Sequence, residues 1–502
     1  MPSFLSLLRL CGRIPALLGV LTVAGCLSPE PFPTPRPPLP DHWTHVPPID
    51  PARSNDPAAS PRAIDPWWRT LGSPTLDTLE SDLLAHHPDI ASAAARLDQA
   101  RIRARIAESP LFPSLSLDTS ERLSQRGNSG TTRASSFSGP IVQATQASLS
   151  ASYELDYRGR NRTLAQKAAY EAEAGRLERA TLHWSLTADL ASSYIKLLTL
   201  KTRRALARQS RETAGKILEL VVRQVDLGHA SPLDAVRQQN TVASIDAQLA
   251  AMELQHHQTL DALALLSGKP LAEVSRLEGS LDQLRLPLIQ PGLPSTLLAR
   301  RPDIRQAEAT LQAAHADLQA ARATLFPTIQ LTGERGYSSA GLSSLISPGS
   351  AFWNLSASLV ATLFDHGKTR GAIELAESER QAAVAAYQKA VLSALKDVED
   401  NLAAVHWLAE QEKAQQRAES AAQESWRLAE ARHQAGAVDF LTVLEAQRSL
   451  LQTQDERPQI RQARLNAAIG LFKALGGEIP DNAAPQPESL TPQASNPQAS
   501  NP

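Results

Sequence analysis

The chain has 502 residues, a formal net charge of -2 and only 4% aromatic residues. So balanced a charge excludes the basic footprint of a nucleic-acid binder, and so few aromatics point to long helices packed through small side chains. Both cysteines, Cys11 and Cys26, precede residue 30, so disulfides and cysteine metal sites are excluded beyond that point.

Met1 to Gly25 carries Arg9 and Arg13, then an apolar run from Ile14 to Val23. This is the plan of a secretory signal peptide, and the run is too short to span a bilayer. Val23-Ala24-Gly25-Cys26 resembles a bacterial lipobox. The resemblance implies cleavage before Cys26 and covalent lipid on it, S-diacylglycerol with an N-acyl chain. An ordinary signal peptide with an incidental cysteine is the plainer alternative. Leu27 stands where an aspartate would signal inner-membrane retention, so the resemblance implies the outer membrane. Cleavage removes two arginines and no acid, taking the net charge from -2 to -4. Residues 26–66, with seven prolines between positions 29 and 40, read as an extended tether without a fold.

The first folded unit spans 67–270. Trp67-Trp68 and Leu76, Leu79, Leu83 and Leu84 predict a short amphipathic helix, and a second helix starts at Pro88. Leu111-Phe112-Pro113 ends it, and Ser114 onward alternates with period two. After a Gly/Ser/Thr loop, Ala147 to Leu155 alternates again, which predicts a strand hairpin over 113–156. From Gly159 to Leu227 there is no proline and the apolar period is helical. Gly228 caps the end, Ser231 and Pro232 start the returning helix, and 271–300 is a proline-bearing connector.

The second unit, 301–475, repeats the plan. Residues 302–331 match 88–117 at twelve of thirty positions, at an offset of 214 without a gap. Such self-similarity marks an internal repeat. A hairpin over 327–365 follows, then a long helix with the heptad-like seam Val384, Tyr387, Val391, Leu395, Val398 and Leu402. Gly436 turns it at an offset of 208 from Gly228. The last helix contains Pro458, which predicts a kink, and 476–502 is a low-complexity, disordered tail.

The four alternating segments have the length and pattern of outer-membrane strands. Four strands cannot close, and open sheet edges are not tolerated in lipid, so several chains must share one barrel. His86-His87 and His256-His257 read as solvated pairs, and no catalytic, phosphate-binding or metal-binding motif accompanies them.

The repeated PDI…LFP switch, Leu155-Asp156-Tyr157-Arg158-Gly159-Arg160, Phe364-Asp365-His366-Gly367 and Val443-Leu444-Glu445-Ala446-Gln447 resemble the TolC-like outer membrane factors. With the lipobox, the likeness is to their NodT/OprM-type lipoprotein branch, over about residues 60 to 475. It implies a mixed α/β membrane protein: a homotrimer with a shared twelve-stranded β-barrel, four strands per chain, above a long-helix α-barrel. It implies the exit duct of a tripartite efflux system, not an enzyme, with a periplasmic adaptor and an RND-type inner-membrane pump as partners and no cofactor or metal. It places a periplasmic constriction at Glu445 and Asp234, with Thr442 at the other acidic position and Asp439 compensating, and the tip turns at Gly228 and Gly436. The alternatives are a pore-less periplasmic coiled-coil scaffold or adaptor, and the channel of a type I protein secretion system.

Overall fold

The computed structural model describes residues 32–35, 39–45, 66–125, 141–287, 289 and 292–476. The expected signal peptide, Cys26 and the low-complexity tail lie outside the described residues. Helix α1 (Pro74–His86) and helix α2 (Pro88–Glu108) lead into strands β1 (Ser114–Gln125) and β2 (Ile141–Glu154). The long helix α3 (Arg160–Asp226) and the returning α4 (Pro232–Ser267) complete the first half. The second half gives α5 (Pro302–Ala323), β3 (Thr328–Ser339), β4 (Ala351–Val360), α6 (Lys368–Gln434) and α7 (Phe440–Leu475).

The long helices α3 and α6 each have 67 residues and the returning α4 and α7 each have 36. At ~1.5 Å per residue, 67 residues reach about 100 Å. Helix α7 runs on through the buried Pro458, whose missing N–H leaves one bond of the helix unmade. No helix among the described residues is long and apolar enough to cross a membrane.

Each passage from strand to long helix is made by one aspartate. The Asp156 carboxylate accepts from the N–H groups of Asn161 at 3.2 Å and Arg162 at 2.8 Å. Asp365 accepts from Gly367 N–H at 3.1 Å and Thr369 N–H at 2.8 Å. Gly159 and Gly367, at φ 74° and 86°, supply the left-handed turn between. These are helix-start donors that nothing within the helix satisfies.

The four strands form one antiparallel sheet in the order β1-β2-β3-β4. The two hairpins are joined by β2–β3 pairing across 173 residues of intervening helix and connector, with Glu154 opposite Gln330 and Thr145 opposite Ser339. β2 begins at Ile141, earlier than the alternation indicates, because Ile141 pairs with Gln125 before the period-two pattern starts.

Two cores sit where the helix pairs meet. One gathers Trp67, Trp68, Leu71, Leu79, Leu190, Ile195 and Leu263 with Leu465 of α7. The other gathers Leu297, Ile304, Leu311, Tyr387, Val391 and Val398 with Leu471 of α7. Arg301, buried at the start of α5, ties the second core together. Its guanidinium donates to Asp303 at 2.6 Å, Asp397 at 3.1 Å and the Ala474 carbonyl at 3.0 Å.

Two pieces of the proline-rich tether, to which the sequence assigns no fold, pack on the second half. Trp43 is only 6% exposed within the second core, and its indole N–H donates to the Gly292 carbonyl at 2.8 Å. Phe32 N–H donates to Oε1 of the Gln312 side chain on α5 at 3.2 Å, and Gln312 Nε2 donates back to the Phe32 carbonyl at 2.8 Å. One tryptophan among prolines leaves no periodicity to read, which is why composition alone missed the docking.

Candidate functional site

Two faces of the sheet differ sharply in chemistry. Successive residues of a strand point to opposite sides, and the register aligns the rows across all four strands. One face carries Leu115, Leu117, Leu149, Leu331, Trp353, Leu355 and Leu359, most of them exposed in the single chain. The other carries Ser114, Ser116, Asp118, Ser150, Glu334 and Asn354. There Asp118 accepts from the hydroxyls of Ser116 at 3.1 Å and Ser150 at 3.0 Å, and Glu334 accepts from Gln146 at 2.8 Å. An apolar outside and a polar inside is the wall of a membrane barrel. Of the three aromatics flanking the second loop, Tyr337 and Trp353 lie on the apolar face, while the alternation puts Phe352 on the polar one.

Below the sheet, α2, α3, α5 and α6 lie side by side, each packed on the next. A trough of about 880 Å³ follows α3 between α2 and α5, lined by Arg96, Arg103, Lys167, Glu171, Arg179 and Asp317 among others. Lys167 bridges it to Asp317 at 2.8 Å. Charges of both signs line it, so it does not concentrate one ion class.

At the far end the two hairpins turn in the same way. Gly228 and Gly436 hold φ 77° and 70°, and His229 N–H and Ala437 N–H reach back to the carbonyls of Gln224 at 2.7 Å and Arg432 at 2.9 Å. Ser231 caps α4 through Leu233 N–H at 3.2 Å. Asp439 caps α7 through Thr442 N–H at 3.1 Å and the Thr442 hydroxyl at 2.7 Å. Those two bonds hold the Asp439 carboxyl below its ordinary range, with smaller help from Arg237 and His433. Asp234 is half-buried, 3.8 Å from Arg237. Glu445 is exposed, with no partner among the described residues. Arg237, which the sequence reading did not single out, thus stands near acids of both hairpins; at the repeat offset of 208 it is the counterpart of Glu445, and that offset is the signal that points to it.

The histidine pairs are not alike. His87 is buried, 6% exposed, and its ring Nδ1 accepts from Asp89 N–H at 3.1 Å to cap α2, whereas His256 and His257 stand edge to face 5.9 Å apart. The expectation of a solvated His87 fails because its capping bond depends on the turn between α1 and α2. Among the described residues no group of three or more His, Cys, Asp or Glu is placed to hold a metal ion.

Known proteins share this architecture. The family model described as "Outer membrane efflux protein" matches residues 79–269 and 293–477. The pyoverdine export outer membrane protein OpmQ of Pseudomonas aeruginosa is 38% identical over 418 residues, covering 82% of this chain and 87% of its own. The probable outer membrane lipoprotein SilC of Salmonella typhimurium is 30% identical over 470 residues, covering 92% of this chain and 98% of its own. The open state of the Neisseria gonorrhoeae MtrE outer membrane channel superposes with a TM-score of 0.79 at 26% identity, covering 90% of this chain and 98% of that one. A barrel-type sheet on a body of 67-residue helices, matched twice by one family model, makes this chain a TolC-like channel of the outer membrane, belonging to the outer membrane efflux protein family.

Proposed function

We propose that three copies of this chain form the exit duct of a tripartite efflux system. The observation that carries the reading is a four-stranded sheet whose β1 and β4 edges are both unpaired among the described residues. Two copies would give eight strands, a barrel filled by its own side chains, whereas three give twelve and leave room for a lumen. In this reading Cys26 bears S-diacylglycerol and an N-acyl chain, and the lipoprotein name of SilC supports it. Small molecules from the periplasm or the pump are the cargo, as the name of OpmQ suggests. A periplasmic adaptor meets the tip at Gly228 and Gly436, and an RND-type inner-membrane pump drives the system.

The constriction lies at that tip. Glu445 and Asp234 line it, and Asp439 with Thr442 holds the shoulder of the α6–α7 turn. Because Arg237 and Glu445 occupy equivalent positions of the two repeats, cations and anions alternate round the ring. The gate is therefore an ion-paired ring and not a purely acidic one, and salt loosens it.

Native mass spectrometry of the complex solubilised from outer membrane tests the assembly. Three chains, each with acyl mass on Cys26, are expected. A lipid-free, water-soluble monomer would overturn the reading.

A further inference from the structure

We propose that Arg335 binds the phosphate of an outer-leaflet lipid headgroup, namely that of lipid A, on the outside of the barrel. The register places Arg335 on the apolar face, directly between Leu149 of β2 and Trp353 of β4. Every other residue of that row is apolar: Leu117, Leu149 and Trp353. β3 is an inner strand of the sheet, so closing the barrel with further copies does not cover it.

Its height follows from the aromatic rings. Phe326 marks the helix side of β3, and Tyr337 stands at the other end next to the loop. The eleven residue steps from one to the other, at ~3.3 Å rise and a tilt of about 40°, span ~28 Å. That matches the apolar band of an outer-membrane barrel, about 25 Å tall between its aromatic girdles. Arg335 is two residues below Tyr337, hence about 5 Å inside the outer girdle. Its side chain is long enough to carry the guanidinium up to headgroup level.

The arginine at the opposite rim shows what is missing here. Arg158 stacks on the Phe326 ring, 3.5 Å from its centroid. Arg335 has no hydrogen bond, ion pair or ring contact among the described residues. Glu121, the acid on the same face, lies higher and accepts from Gln143. A guanidinium facing lipid needs an anion, and its fork matches a phosphate in two-point fashion. The leaflet at the loop end of the barrel supplies one, and Trp353 and Tyr337 offer flat surfaces for the sugar and upper chains.

The inference rests on the sheet spanning the outer membrane, and incorporation into lipid discs reads that separately. Full-length protein in phosphatidylcholine nanodiscs would be titrated with lipid A, with the melting midpoint as readout. Wild type is expected to rise with lipid A, and Arg335→Leu to need about tenfold more for the same rise, the loss of one charge-assisted bond. Arg335→Lys should lie between them. Without lipid A, Arg335→Leu should melt no lower than wild type, since a charge has left the apolar face. Lipid A stripped of its phosphates should bind wild type more weakly than intact lipid A does, a comparison that needs no variant. Equal lipid A response in wild type and Arg335→Leu, or in phosphorylated and stripped lipid, would overturn the proposal. An equal response to phosphatidylglycerol would overturn the assignment to lipid A. Failure to enter discs at all would strike at the barrel reading instead.

Discussion

Glu80 lies in the first core with no exposed surface, and neither of its carboxylate oxygens has a partner among the described residues. Burial, then the nearby charge of Asp77, pushes its carboxyl from 4.5 up to about 9, so the folded protein holds it neutral. Between pH 4.5 and about 9 the folded state keeps a proton that the unfolded chain has released. Stability therefore falls as pH rises through that window, with a slope approaching ~1.4 kcal/mol per unit. Glu80→Leu removes the titration and keeps the packing. Its melting midpoint should exceed that of wild type at pH 8, and the gap should close toward pH 5. A gap independent of pH would show that Glu80 is not the titrating group. The sequence shows a Leu-Glu step in an amphipathic helix; only the third dimension makes it an acid in the core.

Among the elements, the β2–β3 ladder is the most demanding, because it joins the two halves without a local turn to set its register. Gly336 makes it possible. A Cβ there would stand 2.3 Å from the Ala147 carbonyl and 2.6 Å from Ser148 Cα, both backbone atoms that cannot step aside. Gly336→Ala should separate β2 from β3 locally. Heat-resistant assembly on unboiled gels should drop and strand content fall, while the long helices keep their far-UV signal. Unchanged assembly would mean that the strands have room to shift. The helix pairs were far more legible, since their glycines, caps and 3.6 period are local signals: Gly228, Ser231 and Gly436 stand at the turns, whereas the Asp439 cap shows only in the structure. The pairing of β2 with β3 has no local signal, and loop closure over so long a separation is decided by the sheet as a whole.

At the scale of the molecule, the docked tether joins the expected lipid anchor to the folded body. From Cys26 to Phe32 an extended chain spans at most about 20 Å, so an acylated Cys26 holds α5 within that reach of the membrane. Trp43→Ala should undock the strap with the body intact. Protease should then clip before Trp67 several times faster than in wild type, with little change in the main melting transition. Equal clipping rates would mean that Trp43 does not hold the strap.

By itself the sequence determined the order of elements, the repeat, the need for partner chains and the channel class. The first three are written in periods and offsets that survive without coordinates, and the channel class in motifs that resemble those of the TolC-like family. Tertiary structure alone decided the single sheet, the docked Trp43, the neutral Glu80 and the meeting of Arg237 with acids of both hairpins. These depend on residues far apart in sequence, and their energies come from burial and pairing that no single segment contains.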